Sequence, residues 1–221
     1  MSCIFLPSCK VKARYRGQSA KLQAYLEDRR QVRTVGCCKA FCGRISSADS
    51  AVVICNNCAA ILEESSPVSK IESVWEIIDS DPDFPFPDYH GEAMTIQDCW
   101  RAYEKRDMQN AIRSLCRKMH IAVAELEENF EKTKFCGADL LEPCTEIEKK
   151  FAPKRYVENG ADMYHPMSAE EADAWLQNYC QQFRTEKVIC YCMACLDGIN
   201  RGNKQAVHLL ELLFPEEDPA D

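Results

Sequence analysis

A cysteine pattern that occurs twice constrains the fold of this chain more than any other feature of its sequence. Fifteen of the 221 residues are cysteines, and nine of them form the two copies. The first set comprises Cys9, the adjacent pair Cys37 and Cys38, and the C-x-x-C of Cys55 and Cys58. The second set comprises Cys99, Cys136 and the C-x-x-C of Cys192 and Cys195. The fold is expected to bring the members of each set together.

Short apolar runs precede several of these cysteines and predict buried strands. Residues 4–6 precede Cys9, residues 52–54 precede Cys55, and residues 188–189 precede Cys192. In open α/β sheets, ligands bind at the carboxyl ends of the strands, where these thiols would lie. We therefore predict an α/β protein with two pseudo-repeated lobes. Each lobe would be a small, mainly parallel sheet with flanking helices.

A segment rich in proline and acidic residues separates the two cysteine sets. Residues 79–91 read DSDPDFPFPDYHG, a composition typical of a linker. The predicted organisation is a first cysteine-rich lobe at 1–80, a linker at 81–91, a second cysteine-rich lobe at 92–214 and an acidic tail at 215–221.

Hydrophobic periodicity predicts the other elements. The helices are expected at 19–30, 68–78, 100–119, 168–183 and 205–214, and short strands at 121–126 and 133–136. Ser168 followed by Glu171 has the spacing of a capping box, which marks the start of the fourth of these helices.

Composition limits the compartment and the partners. The longest uncharged apolar runs are much shorter than the roughly 20 residues of a membrane span, and no secretory signal is recognisable. Many cysteines without export imply a reducing compartment, so we expect a cytoplasmic protein whose thiols serve metals or catalysis.

The net charge of −8 is unevenly distributed. Ten Lys or Arg residues lie between Lys10 and Arg44, against only Glu27 and Asp28. This segment is either a solvated helix face or an anion-attracting surface beside Cys9, for an acidic substrate or a protein partner. The acidic balance and the lack of interleaved aromatic residues argue against a nucleic-acid partner.

Thiolates are soft ligands, suited to iron–sulfur clusters and to zinc. A C-x-x-C at a strand end lets two sulfurs converge on one metal, while the following helix directs its positive N-terminus at the thiolates. The adjacent pair is the most specific element. Both of its thiols can reach one centre only if the backbone turns there, as Gly36 would allow. A centre with more than four cysteines would explain the fifth sulfur.

The order of Cys9, Cys37-Cys38 and Cys55-x-x-Cys58 resembles the cysteine-rich "CCG" domain family. That domain occurs twice in one of the polypeptides of heterodisulfide reductase, and also in related iron–sulfur oxidoreductases. The resemblance extends from Cys9 to Cys195. It implies two α/β lobes around two noncubane 4Fe–4S clusters, each held by five cysteines, that reduce a disulfide substrate.

The chain departs from the family pattern in three places. Lys39 rather than glycine follows the pair, and only 16 residues separate Cys38 from Cys55. In the second copy the pair is reduced to Cys136-Gly137, which leaves four matched cysteines. Cys144 or Cys190 could replace the missing ligand, although no spacing argument selects either. We therefore expect a noncubane 4Fe–4S cluster at the first site, and a 4Fe–4S cluster or zinc at the second.

The other cysteines have simpler interpretations. Cys116 and Cys180 lie on apolar helix faces and are expected to be packed thiols. Cys42, four residues after the pair, is a candidate neighbour of the first site or a substitute ligand. Trp100, directly after Cys99, is expected to pack in the core and is a candidate for shielding a cluster from water.

The favoured function is that of an iron–sulfur electron-transfer protein, an oxidoreductase subunit of the disulfide reductase type. No G-x-G-x-x-G fingerprint for a flavin or nicotinamide follows a strand, so a redox partner subunit would supply the electrons. An anionic thiol or disulfide is the expected substrate. Two alternatives remain open: a zinc-stabilised interaction protein without redox activity, and a metal-free thiol–disulfide protein that uses a C-x-x-C directly.

Overall fold

The computed structural model describes residues 2–216, and within them two four-stranded sheets in which every pairing is parallel. The strand order is β2-β1-β3-β4 in the first sheet and β6-β5-β7-β8 in the second. The strands are β1 (Cys3–Leu6), β2 (Arg33–Thr34), β3 (Ser50–Val53), β4 (Lys70–Ser73), β5 (Ala93–Gln97), β6 (Ala122–Ala124), β7 (Lys187–Cys190) and β8 (Gln205–His208). This architecture confirms the prediction of an α/β fold with two parallel-sheet lobes.

Helices connect the strands. They are α1 (Cys9–Arg14), α2 (Arg16–Arg30), α3 (Cys38–Phe41), α4 (Asn56–Ser65), α5 (Val74–Asp79), α6 (Arg106–Lys118), α7 (Glu146–Phe151), α8 (Ala169–Cys180), α9 (Met193–Arg201) and α10 (Leu209–Leu213). Short 3₁₀ segments at Cys42–Arg44, Trp100–Ala102, Phe130–Lys132 and Gly137–Leu140, and a π-helical turn at Lys154–Glu158, complete the described elements.

The two sheets are structural repeats of each other. In the first, the central pairing places Leu6 opposite Val53; in the second it places Gln97 opposite Cys190. Since all the strands of a sheet run in the same direction, the segments that follow β1 and β3 emerge at one edge, and those that follow β5 and β7 do the same. This topology brings Cys9 toward Cys55 and Cys99 toward Cys192.

The last strand of each lobe corrects the predictions for 68–78 and 205–214. Both segments are a four-residue strand followed at once by a short helix, β4–α5 and β8–α10. The helical spacing of the apolar residues belongs only to the second part of each segment. Ser73 caps α5 in a complete capping box, and His208 caps α10 by accepting a hydrogen bond from the Leu210 amide at 3.2 Å.

Two further predictions of secondary structure need correction, and the other predicted helices and strands are confirmed. Residues 133–136 form no strand; they are the loop between the 3₁₀ segments Phe130–Lys132 and Gly137–Leu140. The helix predicted at 100–119 is a 3₁₀ turn followed, from Arg106, by α6. The helix predicted at 19–30 lies within α2, and the strand predicted at 121–126 contains β6. The predicted capping box of Ser168 and Glu171 is present at the start of α8.

The lobes share one continuous hydrophobic core, and α5 of the first lobe packs on α6 of the second. Residues 81–91 contain no helix or strand, but Phe84 of this segment is buried and contacts Tyr25 and Phe214 edge-on. Of the predicted acidic tail, residues 217–221 lie outside the described residues. Within residues 2–216, no helix has both the length and the apolar character needed to span a bilayer.

Candidate metal centre

The second cysteine set forms a compact, buried group of four thiols. The sulfurs of Cys99, Cys136, Cys192 and Cys195 all lie within 4.8 Å of one another. The Sγ of Cys136 is 3.5 Å from that of Cys99 and 3.9 Å from that of Cys192. Four sulfurs at about 2.3 Å from one tetrahedral ion would be about 3.8 Å apart, so the spacing suits a metal ion held by four thiolates.

Three loops at the end of the second sheet position these thiols. Cys99 lies two residues after β5, and Cys192 lies two residues after β7, at the N-cap of α9. Cys136 comes from the loop after the turn at Phe130–Lys132. The amide of Trp100 donates to the carbonyl of Phe135 at 2.9 Å, which joins the loop of Cys99 to that of Cys136.

Arg101 is a buried cation beside this group. Its Nη1 donates to the Sγ of Cys136 at 3.1 Å, and its Nη2 forms ion pairs with Asp139 at 3.0 Å and with Glu148 at 3.4 Å. The ring of Tyr156 lies 5.5 Å from the guanidinium carbon. Burial alone would lower the pKa of Arg101, but the thiol of Cys136 and the other nearby acids outweigh it and raise the pKa. Arg101 therefore stays charged and offsets the negative charge of thiolates.

A hydrogen-bond network orients Cys99. The Tyr191 hydroxyl accepts from the Cys99 amide at 3.0 Å and donates to Asp98 at 2.9 Å. Asp98 in turn is held by a two-pronged ion pair with Arg113, at 2.9 and 2.7 Å. Such supports around a ligand fix its orientation, so the geometry of the thiols is set before any metal binds.

The four thiols share their protons unequally. Hydrogen bonds from Cys136, Cys195 and Cys99 hold the pKa of Cys192 well below its usual value. The hydrogen bond with Cys192 raises the pKa of Cys136, and burial raises that of Cys195. Cys192 is therefore the thiol of this group that ionises most readily, and a metal ion would displace the protons of its neighbours.

Gly137 explains why this set lacks a fifth cysteine. It has a φ of +61°, and a Cβ added there would lie 1.7 Å from the carbonyl oxygen of Ala194 in α9. Close approach is needed on both sides, because a Cβ on Gly198 would lie 2.5 Å from the Cα of Gly137. No side chain, cysteine included, fits at position 137 without moving α9.

The first cysteine set also collects at one edge of its sheet. Cys9 begins α1, Cys37 and Cys55 are the N-cap residues of α3 and α4, and Cys38 and Cys58 lie in the first turns of those helices. The turn that separates the adjacent pair is thus the start of α3. Gly36, which was expected to provide the turn, has no positive φ.

Interactions among the thiols link this set. Hydrogen bonding from Cys58 lowers the pKa of Cys38, and it lowers that of Cys55 to about 6. Burial, followed by hydrogen bonding to Cys37, raises the pKa of Cys9. Cys9 is exposed, and Cys37 and Cys55 are partly exposed. Among residues 2–216, the thiols gathered closely enough to hold a metal ion are those of the second set, and the first set is the more exposed of the two.

The two sets face each other across the boundary between the lobes. The Cys192 thiolate acts electrostatically on Cys55 and opposes the fall of its pKa. Tyr156 connects the sites structurally, since it lies beneath Arg101 and its hydroxyl donates to Asn57 at 2.6 Å, inside the first C-x-x-C.

The remaining cysteines do not join the four-thiol group. Cys144 and Cys190, the candidates for the missing ligand, lie outside it, and burial raises the pKa of Cys190. The Cys42 thiol donates to the carbonyl of Lys39 at 3.7 Å. Cys116 and Cys180 are buried, and burial raises the pKa of Cys116 to about 12 and that of Cys180 to about 11.

Three supporting residues were not identified from the sequence, namely Arg101, Asp98 and Tyr191. All three are adjacent to a cysteine of the second set or two residues from one. Charged and aromatic residues next to a ligand are the one signal that could have indicated them.

Comparison with known proteins adds no further assignment. No protein-family model, curated protein or solved structure matches this chain.

Proposed function

We propose that this chain is an iron–sulfur redox protein of the cysteine-rich "CCG" type. The first cysteine set would hold a noncubane 4Fe–4S cluster at the open face of its lobe. The second would hold a metal centre enclosed by protein, either a 4Fe–4S cluster or zinc. As an oxidoreductase subunit, the protein would transfer electrons and reduce a disulfide.

One observation carries the proposal. Two sets of thiols, five at the first sheet and four at the second, occupy equivalent strand ends and are close enough to interact electrostatically. The chemistry of the donors is uniform, since every predicted ligand is a cysteine, and soft thiolates are the ligands of iron–sulfur clusters. Five thiols exceed the four that a single tetrahedral ion takes, so their number suits a multi-iron cluster better than one zinc ion.

The protein's own residues have definable tasks. A bound cluster would supply the ability to accept and donate single electrons. Around it, hydrogen bonding from Cys58, aided by backbone amides in the first turns of α3 and α4, lowers the pKa values of Cys38 and Cys55 and favours their thiolates. At the second site, Arg101 neutralises thiolate charge and Trp100 and Tyr156 exclude water.

The substrate and the partner follow from the same reasoning. Reduction of a disulfide to two thiols consumes two electrons and two protons, and the electrons would come from a redox partner subunit. The exposed cations Lys10, Lys12 and Arg16 lie beside Cys9 and would attract an anionic thiol or an acidic partner surface. A reducing, cytoplasmic location is part of the proposal.

The test is the metal content of protein purified without oxygen, measured as iron, acid-labile sulfide and zinc together with the visible spectrum. Wild-type protein should contain iron and matching sulfide. Replacing Cys38 with serine should remove the iron of the first centre. Replacing the buried Cys116 with serine is the matched control and should leave the metal content unchanged.

The outcomes separate the candidates. Iron that depends on Cys38 and is indifferent to Cys116 supports the cluster at the first set. Zinc alone, with no iron even after anaerobic reconstitution, would remove the redox function.

The second candidate is a zinc-stabilised interaction protein without redox activity. The specific observation in its favour is the separation of 3.5 and 3.9 Å between thiols of the second set, which matches four sulfurs around one tetrahedral ion. Zinc at the second set together with iron at the first would be consistent with the main proposal. Zinc without iron would favour this candidate.

A further inference from the structure

A small cavity lies between the two lobes, lined by Cys55 of the first set and by Arg101, which bonds a thiol of the second. Its volume is about 60 Å³. The first lobe contributes Cys55 and Asn56 to its lining, and the second contributes Arg101 and Ala102. Most of the remaining lining is apolar. A mostly apolar space with a few polar groups is suited to a small ligand.

Two buried hydrogen-bond donors of this lining lack partners. The Nδ2 of Asn56 and the Nε of Arg101 have no acceptor among residues 2–216. Each residue is only 5% exposed. Leaving a buried donor unpaired is costly, and nearly all such groups in proteins have a partner. Two residues that line the cavity thus each carry a buried N–H donor without an acceptor.

The other N–H groups of Arg101 are already engaged. Nη1 donates to Cys136, and Nη2 is bound by Asp139 and Glu148. The Nε–H is therefore the donor that remains for a ligand, since the rest of the guanidinium holds the second site together.

The charges around the cavity decide the class of ligand. Lys105 is paired with Glu63. Glu76 is an additional acid, whose carboxylate accepts from the Ser73 amide at 3.2 Å. Arg101 is matched by its own two acids. With no surplus of positive charge in the lining, a carboxylate ligand would be left without a counterion, and burying it would be unfavourable.

We propose that this cavity binds a small, uncharged carbonyl compound, whose oxygen accepts hydrogen bonds from Arg101 Nε–H and Asn56 Nδ2–H beside Cys55. A carbonyl oxygen has two lone pairs and can accept both. A cavity of about 150 Å³ holds benzene, so 60 Å³ accommodates a group of a few heavy atoms, with any longer part of the ligand directed outward.

The binding site is formed by the protein alone. Any role of this cavity at the first centre rests on the proposed function, because Cys55 is a cluster ligand only there. Ligand binding and metal content are measured separately, so failure of one is distinguishable from failure of the other.

The experiment is a titration of ¹⁵N-labelled protein, metal-free and metal-loaded, with acetone as the probe and acetate as its charged counterpart. The Arg101 Nε–H signal, assigned by its loss in Arg101→Lys, should shift saturably with acetone and not with acetate.

Two neighbouring asparagines provide the variant and its control. Asn56→Ala removes one donor and should weaken acetone binding about five- to tenfold, the value of one ordinary hydrogen bond. It should not lower the melting temperature, because the lost amide donor had no partner. Asn57→Ala removes the acceptor of the Tyr156 hydroxyl, which lies outside the cavity, and should weaken acetone binding less than Asn56→Ala does.

Three results would overturn the proposal. They are an Arg101 signal that acetone does not move, equal or tighter binding of acetate, and equal weakening of acetone binding by the two asparagine variants. If water occupies the cavity and acetone does not displace it, the Arg101 signal will not move, which is the first of these results.

Discussion

The two lobes share one sheet topology but enclose their cysteines differently. In the first lobe, 16 residues separate the adjacent pair from the C-x-x-C, and Cys9 is exposed. In the second, 55 residues separate Cys136 from Cys192, and this insertion carries α7 and α8. All four thiols of the second set are buried. A repeated scaffold therefore carries one site that is open to a partner or substrate and one that is closed.

The two cysteine sites also differ at single residue positions. Two residues after the first cysteine of each set, the first lobe has Val11 and the second has Arg101. The second cysteine of the adjacent pair is replaced by Gly137. The backbone repeats, whereas the number of thiols and the charge around them do not.

The largest expected effect is at Gly137. Replacing it with alanine places a methyl group 1.7 Å from the Ala194 carbonyl, at a φ that disfavours any side chain. We expect a loss of at least about 5 kcal/mol in the free energy of unfolding. Urea denaturation followed by circular dichroism measures it.

Gly36→Ala is the matched control from the first lobe. Gly36 has no positive φ, and a Cβ there meets nothing within 4 Å. Its effect should stay within about 0.5 kcal/mol. Similar losses in both variants would mean that close approach of α9 does not distinguish the lobes.

The second-largest effect is at Arg101. Arg101→Leu leaves Asp139 and Glu148 without their buried cation, at an expected cost of about 3 to 5 kcal/mol. Loss of its hydrogen bond to Cys136 should also weaken zinc binding at the second set about 10- to 100-fold. Competition with a chromogenic chelator measures the affinity.

Arg155→Leu separates stability from metal binding. Arg155 is also buried, but its guanidinium is paired with Glu104 rather than with a thiol. This variant should destabilise the protein and leave zinc affinity unchanged. A comparable fall in affinity would show that the effect of Arg101 is general unfolding.

Much of the fold could be predicted because the strands that carry the cysteines are short, apolar and bounded by turn residues. The strands β4 and β8 were missed, since each is four residues long, partly polar and joined directly to a helix, so that helical spacing dominated the window. In both lobes the last strand was therefore predicted as part of the helix that follows it.

The site was less predictable than the fold. Cys99, Cys136, Cys192 and Cys195 were selected by spacing, and the structure brings them together. The residues that hold these cysteines in place were not predicted. The ion pair of Arg113 with Asp98, for example, joins two elements whose contact no local pattern reveals. The steric demand at Gly137 likewise depends on α9, more than fifty residues away.

The third prediction concerns pH and the equivalent helix caps Ser73 and His208. Burial lowers the pKa of His208 to about 4, from an ordinary value of 6.5. The unfolded chain therefore binds a proton at a higher pH than the folded chain does. Stability should fall as pH drops from about 6.5 to about 4, by up to about 3 kcal/mol from this group.

His208→Asn tests the assignment. Asparagine caps helices well and does not titrate in this range. Protonation of His208 would also break its hydrogen bond from the Leu210 amide, which the variant avoids. Unfolding free energies measured across this pH range should therefore fall less steeply in the variant. Equal slopes would mean that the acid sensitivity lies elsewhere.

The smallest effect is expected from the surface contact between the lobes. Arg14, in the helix that begins at Cys9, is 2.6 Å from Asp197, in the helix that follows Cys192. Both side chains are nearly half exposed, so water and salt screen the pair. A double-mutant cycle with Arg14→Ala and Asp197→Ala should give a coupling of about 0.5 kcal/mol that disappears in high salt. A coupling above about 1.5 kcal/mol that persists in salt would contradict this. A weak coupling would mean that the buried packing of α5 on α6 fixes the arrangement of the two lobes. The open and closed sites would then keep their relative positions without surface ion pairs.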